Sequence, residues 1–395
     1  MSPLAEFLTR LARMDVTLRA DGGKLRCSGP DHVMTAELRD ELAARKPELL
    51  AFLEEVTRPG GPDGKAPVAT PGAGDAPPPQ IDREIDAAAA WRGADLSPET
   101  GLVPIPVDCS AEIASLAAEL RANPLPLPAR RPADFDPPAC RALIDRVKRQ
   151  LDGALGFVVI DRLDLTAMSA EEATAVYWLL ASMVARPVAQ KWDGTMIYDV
   201  YDLGKRSMRA VNTNDDMNYH TDNSFNLCPP RYVGLLCLQK AKEGGMSKIV
   251  SFSTVHNEMR RRDPDLLARL YRPFVFDRQR EHAANDEVTI RRPIFENQDG
   301  QLVGRMSRFH IRNGHVLSGE PLDAEGEAAL AAMEAIMNEP GMSQDFWFEP
   351  GQIQIIDNRR VGHKRTAFSD WPEPERQRRL VRLWLRDSGR PFYNG

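Results

Sequence analysis

Residues 218–225 read NYHTDNSF, and how this stretch lies decides what the chain can do. It is β-leaning and carries no helical periodicity. In a strand, residues two apart point to the same side, so His220 and Asp222 would aim an imidazole and a carboxylate at one point. One other histidine is followed two residues later by an acid: His256, before Glu258. With seven His and 57 acidic residues in the chain, such pairs also arise by chance, so the spacing alone decides nothing. His256 lies in STVHNEMRRRDPDLLARL, residues 253–270, which reads as a helix opening after Ser253 or Thr254. Residues two apart on a helix diverge by about 200°. His256 and Glu258 are therefore expected to be separate surface groups.

A third donor for His220 and Asp222 has to come from elsewhere. His363 is the candidate, because it follows a strand-like run, Ile353–Ile356, and the turn Asp357-Asn358-Arg359-Arg360. Two imidazoles and one carboxylate on one face, with the opposite positions open, is the donor set of non-haem Fe(II) oxygenases. Taken alone, each histidine reads more readily as a hydrogen-bonded core or surface residue than as a ligand.

Further out, the pattern is of many short strands. Gly156–Ile160, Met196–Val200, Tyr232–Leu238, Lys248–Phe252, Thr289–Phe295, Phe346–Phe348, Ile353–Ile356 and Leu380–Leu385 all lean to β. Helices are expected near Ile81–Ala90, from the capping box Ser169-Ala-Glu-Glu172 onward, near Val255–Leu270 and over Ala324–Met337. Short strands separated by Gly and Pro turns imply a closed or double-sheet β fold.

The 395 residues carry a net charge of −6, so the chain has no overall basic footprint for nucleic acid. The longest apolar stretch, around Ala173–Ala185, is too short to span a bilayer. Five widely spaced Cys without a CxxC pair fit a reducing cytoplasm. Residues 58–80, RPGGPDGKAPVATPGAGDAPPPQ, are nearly all Pro, Gly, Ala and Asp. Such a segment cannot bury enough apolar surface to order itself and reads as a linker. It divides a head, residues 1–57, from a body, residues 81–395. In the head, Leu4, Phe7, Leu8 and Leu11 recur at helical spacing. Val16 to Cys27 reads as a hairpin around Asp21-Gly22-Gly23. Thr35 caps a helix with Leu38 and Leu42, and Pro47 opens a last one with Leu49, Leu50 and Leu53. Asn123–Pro138 is a second Pro-rich patch, expected to be an irregular surface connection.

Two resemblances follow from these residues. The head, with DGGKLR, Pro30, Thr35-Ala-Glu-Leu and Lys46-Pro-Glu-Leu-Leu, resembles the TubC-type docking domain of nonribosomal peptide and polyketide assembly lines. The body resembles the TauD/TfdA family of Fe(II)/2-oxoglutarate dioxygenases. Its segments GFVVI, YHTDNSF, PPRYVGLLCLQKAKEGGMS, FEPGQIQIIDNRRVGHKRTAF and RRLVRLWLR carry that resemblance. It implies a small α+β docking domain followed by a double-stranded β-helix, or jelly roll, with flanking helices.

The second resemblance makes His220, Asp222 and His363 the iron ligands and Arg378 the partner of the distal carboxylate of 2-oxoglutarate. Ser247 falls where the family has Thr, so its role as a second donor is open, and Arg382 matches an arginine that contacts substrate or cosubstrate. Arg378, Arg382 and Arg386 are expected on one face of a strand. Asn218, Tyr201, Phe225 and Arg308 are candidate pocket residues. Fe(II), 2-oxoglutarate and O₂ are the implied cofactor and cosubstrates. The implied activity is hydroxylation, or desaturation, of an aminoacyl or peptidyl group on a carrier protein. The head would bind a synthase subunit or carrier, with neither nucleic acid nor membrane as partner. Two alternatives stand beside it: the same chemistry on a free amino acid or small acid, and a catalytically silent adaptor of a megasynthase.

Overall fold

The computed structural model describes residues 7, 17–21, 24–28, 35–50, 80–123, 126–135, 137–202, 213–283 and 286–395. The chain divides into two compact units, Met1–Asp75 and Ala76–Gly395.

In the first unit, β1 (Thr17–Asp21) and β2 (Lys24–Ser28) pair antiparallel, from Thr17 opposite Ser28 to Asp21 opposite Lys24. Helix α1 (Ala36–Ala44) opens at Thr35, whose hydroxyl accepts from the Leu38 amide at 3.3 Å. That cap is worth about 1 kcal/mol. Leu38 and Leu42 on α1, Leu49 in the helical residues 46–50, and Phe7 are buried. Most of the expected first helix, the glycines of the hairpin turn, Pro30, Leu53 and linker residues 58–79 lie outside the described residues.

The second unit runs β3 (Leu102–Pro104), α2 (Val107–Ala122), α3 (Pro138–Asp152), β4 (Phe157–Asp161), α4 (Ala170–Val184), β5 (Arg186–Val188), β6 (Tyr198–Val200), β7 (Tyr232–Gln239), β8 (Glu243–Gly244) and β9 (Ser247–Ser251). Helices α5 (Phe252–Arg262) and α6 (Pro264–Leu270) follow, then the antiparallel pairs β10 (Phe274–Asp277) with β11 (Thr289–Arg292) and β12 (Phe295–Gln298) with β13 (Gln301–Gly304). The last part holds α7 (Arg308–Ser318), α8 (Ala324–Met337), β14 (Gln344–Phe346), β15 (Ile353–Asp357), β16 (Val361–Arg365), β17 (Phe368–Ser369) and β18 (Arg379–Arg386).

A seven-stranded sheet orders β3-β4-β15-β7-β18-β5, with β6 also on β18, and a three-stranded sheet orders β14-β9-β16. The two-residue alternation of β18 shows how the large sheet works. Val381, Leu383 and Leu385 join a cluster with α2, α3 and α4. Leu380, Arg382 and Trp384 turn to the opposite face. Helix α4 can lie flat there because its core side, from Ala173 to Val184, is apolar. Its Ser169–Glu172 capping box satisfies two amides at its start.

The structure departs from the sequence expectations at several elements. Residues 81–90 form no helix. Side chains of α5 and its cap bind their backbone instead: Asn257 bonds both the N–H and the C=O of Ile85 at 2.9 Å, and Ser251 donates to the Ala89 carbonyl at 2.7 Å. Residues 218–225 form no strand either: only His220 makes a β-bridge, and residues after it turn. Pro264 splits the expected helix over 255–270 into α5 and α6, and residues 289–295 divide into β11 and β12 about Pro293. Helices α2, α3 and α7 were not read from the sequence. His256 and Glu258 are fully buried rather than superficial. Strand β18 is internal to its sheet. Arg386 is buried too, donating to the carbonyls of Phe392 at 2.8 Å and Tyr393 at 2.6 Å.

Candidate metal centre

His220 and His363 are held opposite one another by the backbone. Each amide donates to the other's carbonyl at 3.0 Å, an isolated antiparallel bridge beside β16. After His220 the chain turns, with Asn223 in the left-handed region at φ 54°. The Asn358 side chain secures this turn. Its Oδ1 accepts from the Asp222 amide at 2.8 Å, and its Nδ2 donates to the Asp222 carbonyl at 2.9 Å. Thr221 is tied in by its amide to the Met306 carbonyl at 2.8 Å. A turn, not a strand, thus brings Asp222 back to His220.

One atom from each of His220, Asp222 and His363 falls within 4.8 Å of the others. Asp222 Oδ1 is 3.5 Å from His220 Nε2 and 3.6 Å from His363 Nε2. The other carboxylate oxygen is already engaged: Trp384 Nε1 donates to Oδ2 at 2.7 Å and Arg382 Nη1 lies 2.9 Å from it. Arg382 is itself held by Gln190 Oε1 at 2.8 Å. Only Oδ1 is left to the imidazoles, so the carboxylate offers one oxygen to an ion. His220 Nδ1 lies 3.0 Å from the Asn218 carbonyl, which suits an Nδ1–H donor and leaves the Nε2 lone pair for a ligand. Burial opposes ionisation of Asp222. The Arg382 guanidinium and the two imidazoles outweigh it and hold the carboxyl well below its usual range. Burial, then the neighbouring His220, lowers His363, which favours the neutral, metal-ligating imidazole.

The pocket beside the triad is lined from both sheets: Val233 and Leu235 on β7, Ser247 on β9, Gln354 on β15, Arg365 on β16 and Arg382 on β18. Arg378 lies in it just before β18, with its guanidinium pushed down to about 10, chiefly by burial. Among the described residues no acceptor lies within hydrogen-bond distance of that guanidinium, an arrangement that fits an absent anion. Ser247 Oγ faces the same space and meets Gln354 Nε2 at 3.4 Å.

Of the guessed pocket residues, none lines this cavity. Arg308 is bound to Glu327 and Glu334, Phe225 packs on His310, Asn218 serves through its carbonyl, and Tyr201 is partly exposed. Sequence reasoning missed Asn358, Gln190, Gln354, Arg365 and Trp384. For two of these a signal was available: Trp384 follows Arg382 by two residues on one strand, and Arg365 follows His363 in the same way.

Residues 121–384 match the family described as taurine catabolism dioxygenase TauD, TfdA family. The chain belongs to the TauD/TfdA family. Residues 4–55 match the TubC N-terminal docking domain. FR-33289 synthase of Streptomyces rubellomurinus is 27% identical over 262 residues, which cover 63% of this chain and 75% of that protein. Among solved structures, asparagine oxygenase with Fe(II), 3-hydroxyasparagine and succinate superposes with a TM-score of 0.56 at 19% identity, over 72% of this chain and 93% of that one. The non-haem iron oxygenase OrfP with Fe and alpha-ketoglutaric acid gives 0.53 at 14% identity, over 73% and 94%. This TauD/TfdA protein is a non-haem dioxygenase working with Fe(II) and 2-oxoglutarate. Its docking domain points to a synthase partner. Among the described residues no helix is long and apolar enough to cross a membrane.

Proposed function

We propose that the enzyme hydroxylates an aminoacyl or peptidyl group carried by a nonribosomal peptide or polyketide assembly line. The observation that carries this reading is the joining, in one chain, of a TubC docking domain to a TauD/TfdA oxygenase. His220, Asp222 and His363 are the residues we assign to Fe(II), and Arg378 with Ser247 to the distal carboxylate of 2-oxoglutarate. When bound, the metal couples decarboxylation of 2-oxoglutarate to succinate with oxygenation of an unactivated carbon.

The chain's own part is placement. Trp384 and Arg382 occupy one oxygen of Asp222, so the carboxylate takes up a single position. Apolar side chains lining the pocket limit water: Val200, Val233, Leu235, Phe348 and Leu380. The large and the three-stranded sheet would be the two halves of a jelly roll. We take 1–57 as docking domain, 58–80 as linker and 81–395 as oxygenase, acting in the cytoplasm.

A linker of this composition lets the head raise the local concentration of carrier without ordering the body. The test compares carrier-loaded and free amino acids, with Fe(II), 2-oxoglutarate and O₂, by intact-protein mass spectrometry. The carrier should gain one oxygen. Faster turnover of the free acid would sink the carrier reading and leave the oxygenase intact. Deleting residues 1–80 should cost roughly 10²- to 10⁴-fold against the intact upstream subunit at low concentration.

A further inference from the structure

Arg365 is buried in the same pocket as Arg378, and nothing so far gives it a task. It sits two residues beyond His363 on β16 and faces inward with it. In the sheet register it lies directly opposite Ser247 of β9. Both guanidiniums lie against the Phe368 ring, Arg365 at 4.6 Å and Arg378 at 5.1 Å from its centre. Arg365 gives one N–H to the Thr366 carbonyl at 3.0 Å and one to the Thr213 carbonyl at 2.7 Å. The remaining N–H groups have no acceptor among the described residues.

The charges in the pocket are not all paired at close range. Asp222 is matched by Arg382 at 2.9 Å. Arg365 and Arg378, 7% and 6% exposed, form no ion pair with a carboxylate among the described residues; Asp216, Asp202 and Asp215 favour the charge of Arg365, and Asp370 that of Arg378, only from longer range. Two buried guanidiniums beside one ring repel each other and each loses hydration. Such a pair persists where an anion comes to lie between its members. Ser247, across the ladder from Arg365, marks the end of the pocket at which the distal carboxylate of 2-oxoglutarate is assigned.

We propose that Arg365 is the second arm of a two-guanidinium clamp on that distal carboxylate. The proposal rests on the assignment of Arg378 to the cosubstrate. Arg378, whose guanidinium has no acceptor among the described residues, supplies the forked contact, and Arg365, braced by two carbonyls, supplies a rigid charge from the β16 side. The clamp makes the site select a 2-oxo acid that carries a second carboxylate.

The test is calorimetric titration of the full chain, loaded with Zn(II) so that no turnover occurs. The probes are 2-oxoglutarate and 2-oxobutanoate, which lacks the distal carboxylate. Arg365→Met should weaken 2-oxoglutarate about tenfold, the worth of one charge-assisted contact. It should leave 2-oxobutanoate within about twofold. Arg378→Met should lose at least as much, for the same ligand only. Arg365→Lys keeps the charge but not the fork, and should lose about threefold for 2-oxoglutarate alone. It is the variant to read if Arg365→Met does not fold. If the Arg365 variants weaken both acids equally, or neither, while Arg378→Met still discriminates, the clamp is refuted and the cosubstrate assignment stands. If Arg378→Met also leaves 2-oxoglutarate binding unchanged, the assignment itself fails.

Discussion

The chain contains the same short pattern twice, His-x-Asp at 220–222 and His-x-Glu at 256–258, and the two do opposite things. At 220 a bridge followed by a left-handed turn brings imidazole and carboxylate to one point, with a third donor on β16. At 256 the pattern lies in α5, where the two side chains diverge into the core. His256 packs against Tyr271 and Phe295, each ring centre 6.1 Å away, and these two rings also touch each other. Glu258 is surrounded by Arg92, Arg261 and Arg262. Both acids are buried and both face arginine. What separates a ligand from a strut is backbone geometry and one free oxygen: Asp222 keeps Oδ1 unclaimed by any arginine, whereas both oxygens of Glu258 are taken.

The sharpest way to break this contrast is to exchange the histidines for alanine. His220→Ala and His363→Ala should each abolish 2-oxoglutarate-dependent succinate formation, since each removes one of the three ligands we assign to the metal. His256→Ala should retain Fe(II) binding. Appreciable turnover by either ligand variant would overturn the assignment. Next in size is Trp384→Phe, which removes the N–H donor from Asp222 Oδ2. Outer-shell changes of this kind cost roughly 10- to 100-fold in metal affinity. A Co(II) titration followed by Trp-independent absorbance measures it, and an unchanged affinity would mean that Arg382 alone orients the carboxylate.

On the structural side the effects are on folding. His256→Ala should cost about 2–4 kcal/mol in chemical denaturation, because it empties a buried space beside two aromatic rings. Glu258→Gln is the smallest, about 1–3 kcal/mol. Burial opposes the charge on Glu258, but Arg92 and its neighbours hold its folded value below the ordinary 4.5. The stabilisation is thus present above about pH 4.5 and lost as pH falls through the lower folded value. Wild type and Glu258→Gln should converge in acid. A constant gap across that range would show that shape, not charge, is what Glu258 supplies.

This pair of motifs also marks how far the sequence could be read. Divergence of His256 and Glu258 followed from the helix period, and convergence of His220 and Asp222 was expected for the wrong reason. The strand implied by residues 218–225 is replaced by a turn, because Asn358, remote in sequence, takes both backbone groups of Asp222. Strands β4, β7, β15 and β18 were legible because apolar residues meet a helical layer on one face and a closed interior on the other. The segment 81–90 was not: the backbone of Ile85 and Ala89 bonds to side chains of α5 and its cap, and no local pattern announces that. The buried arginines show the same limit. In RQRRLVRLWLR, residues 376–386, only Arg376 and Arg379 are solvated, Arg379 pairing with Asp199 at 2.9 Å, while Arg378, Arg382 and Arg386 are buried.

The bridge between His220 and His363 has a mechanical consequence for the whole body. Phe225 to Met342, which hold most of the second apolar cluster, leave the chain after one of these histidines and return before the other. An ion gripping both imidazoles would therefore act as a clasp at the neck of a long loop, reducing the closure entropy of everything inside it. Loading with metal should slow amide hydrogen exchange across α5, α6 and α8 together, while α2 and α3, outside the loop, keep their rates. The oxygenase centre would then double as the fastening that holds one lobe of its own protein shut.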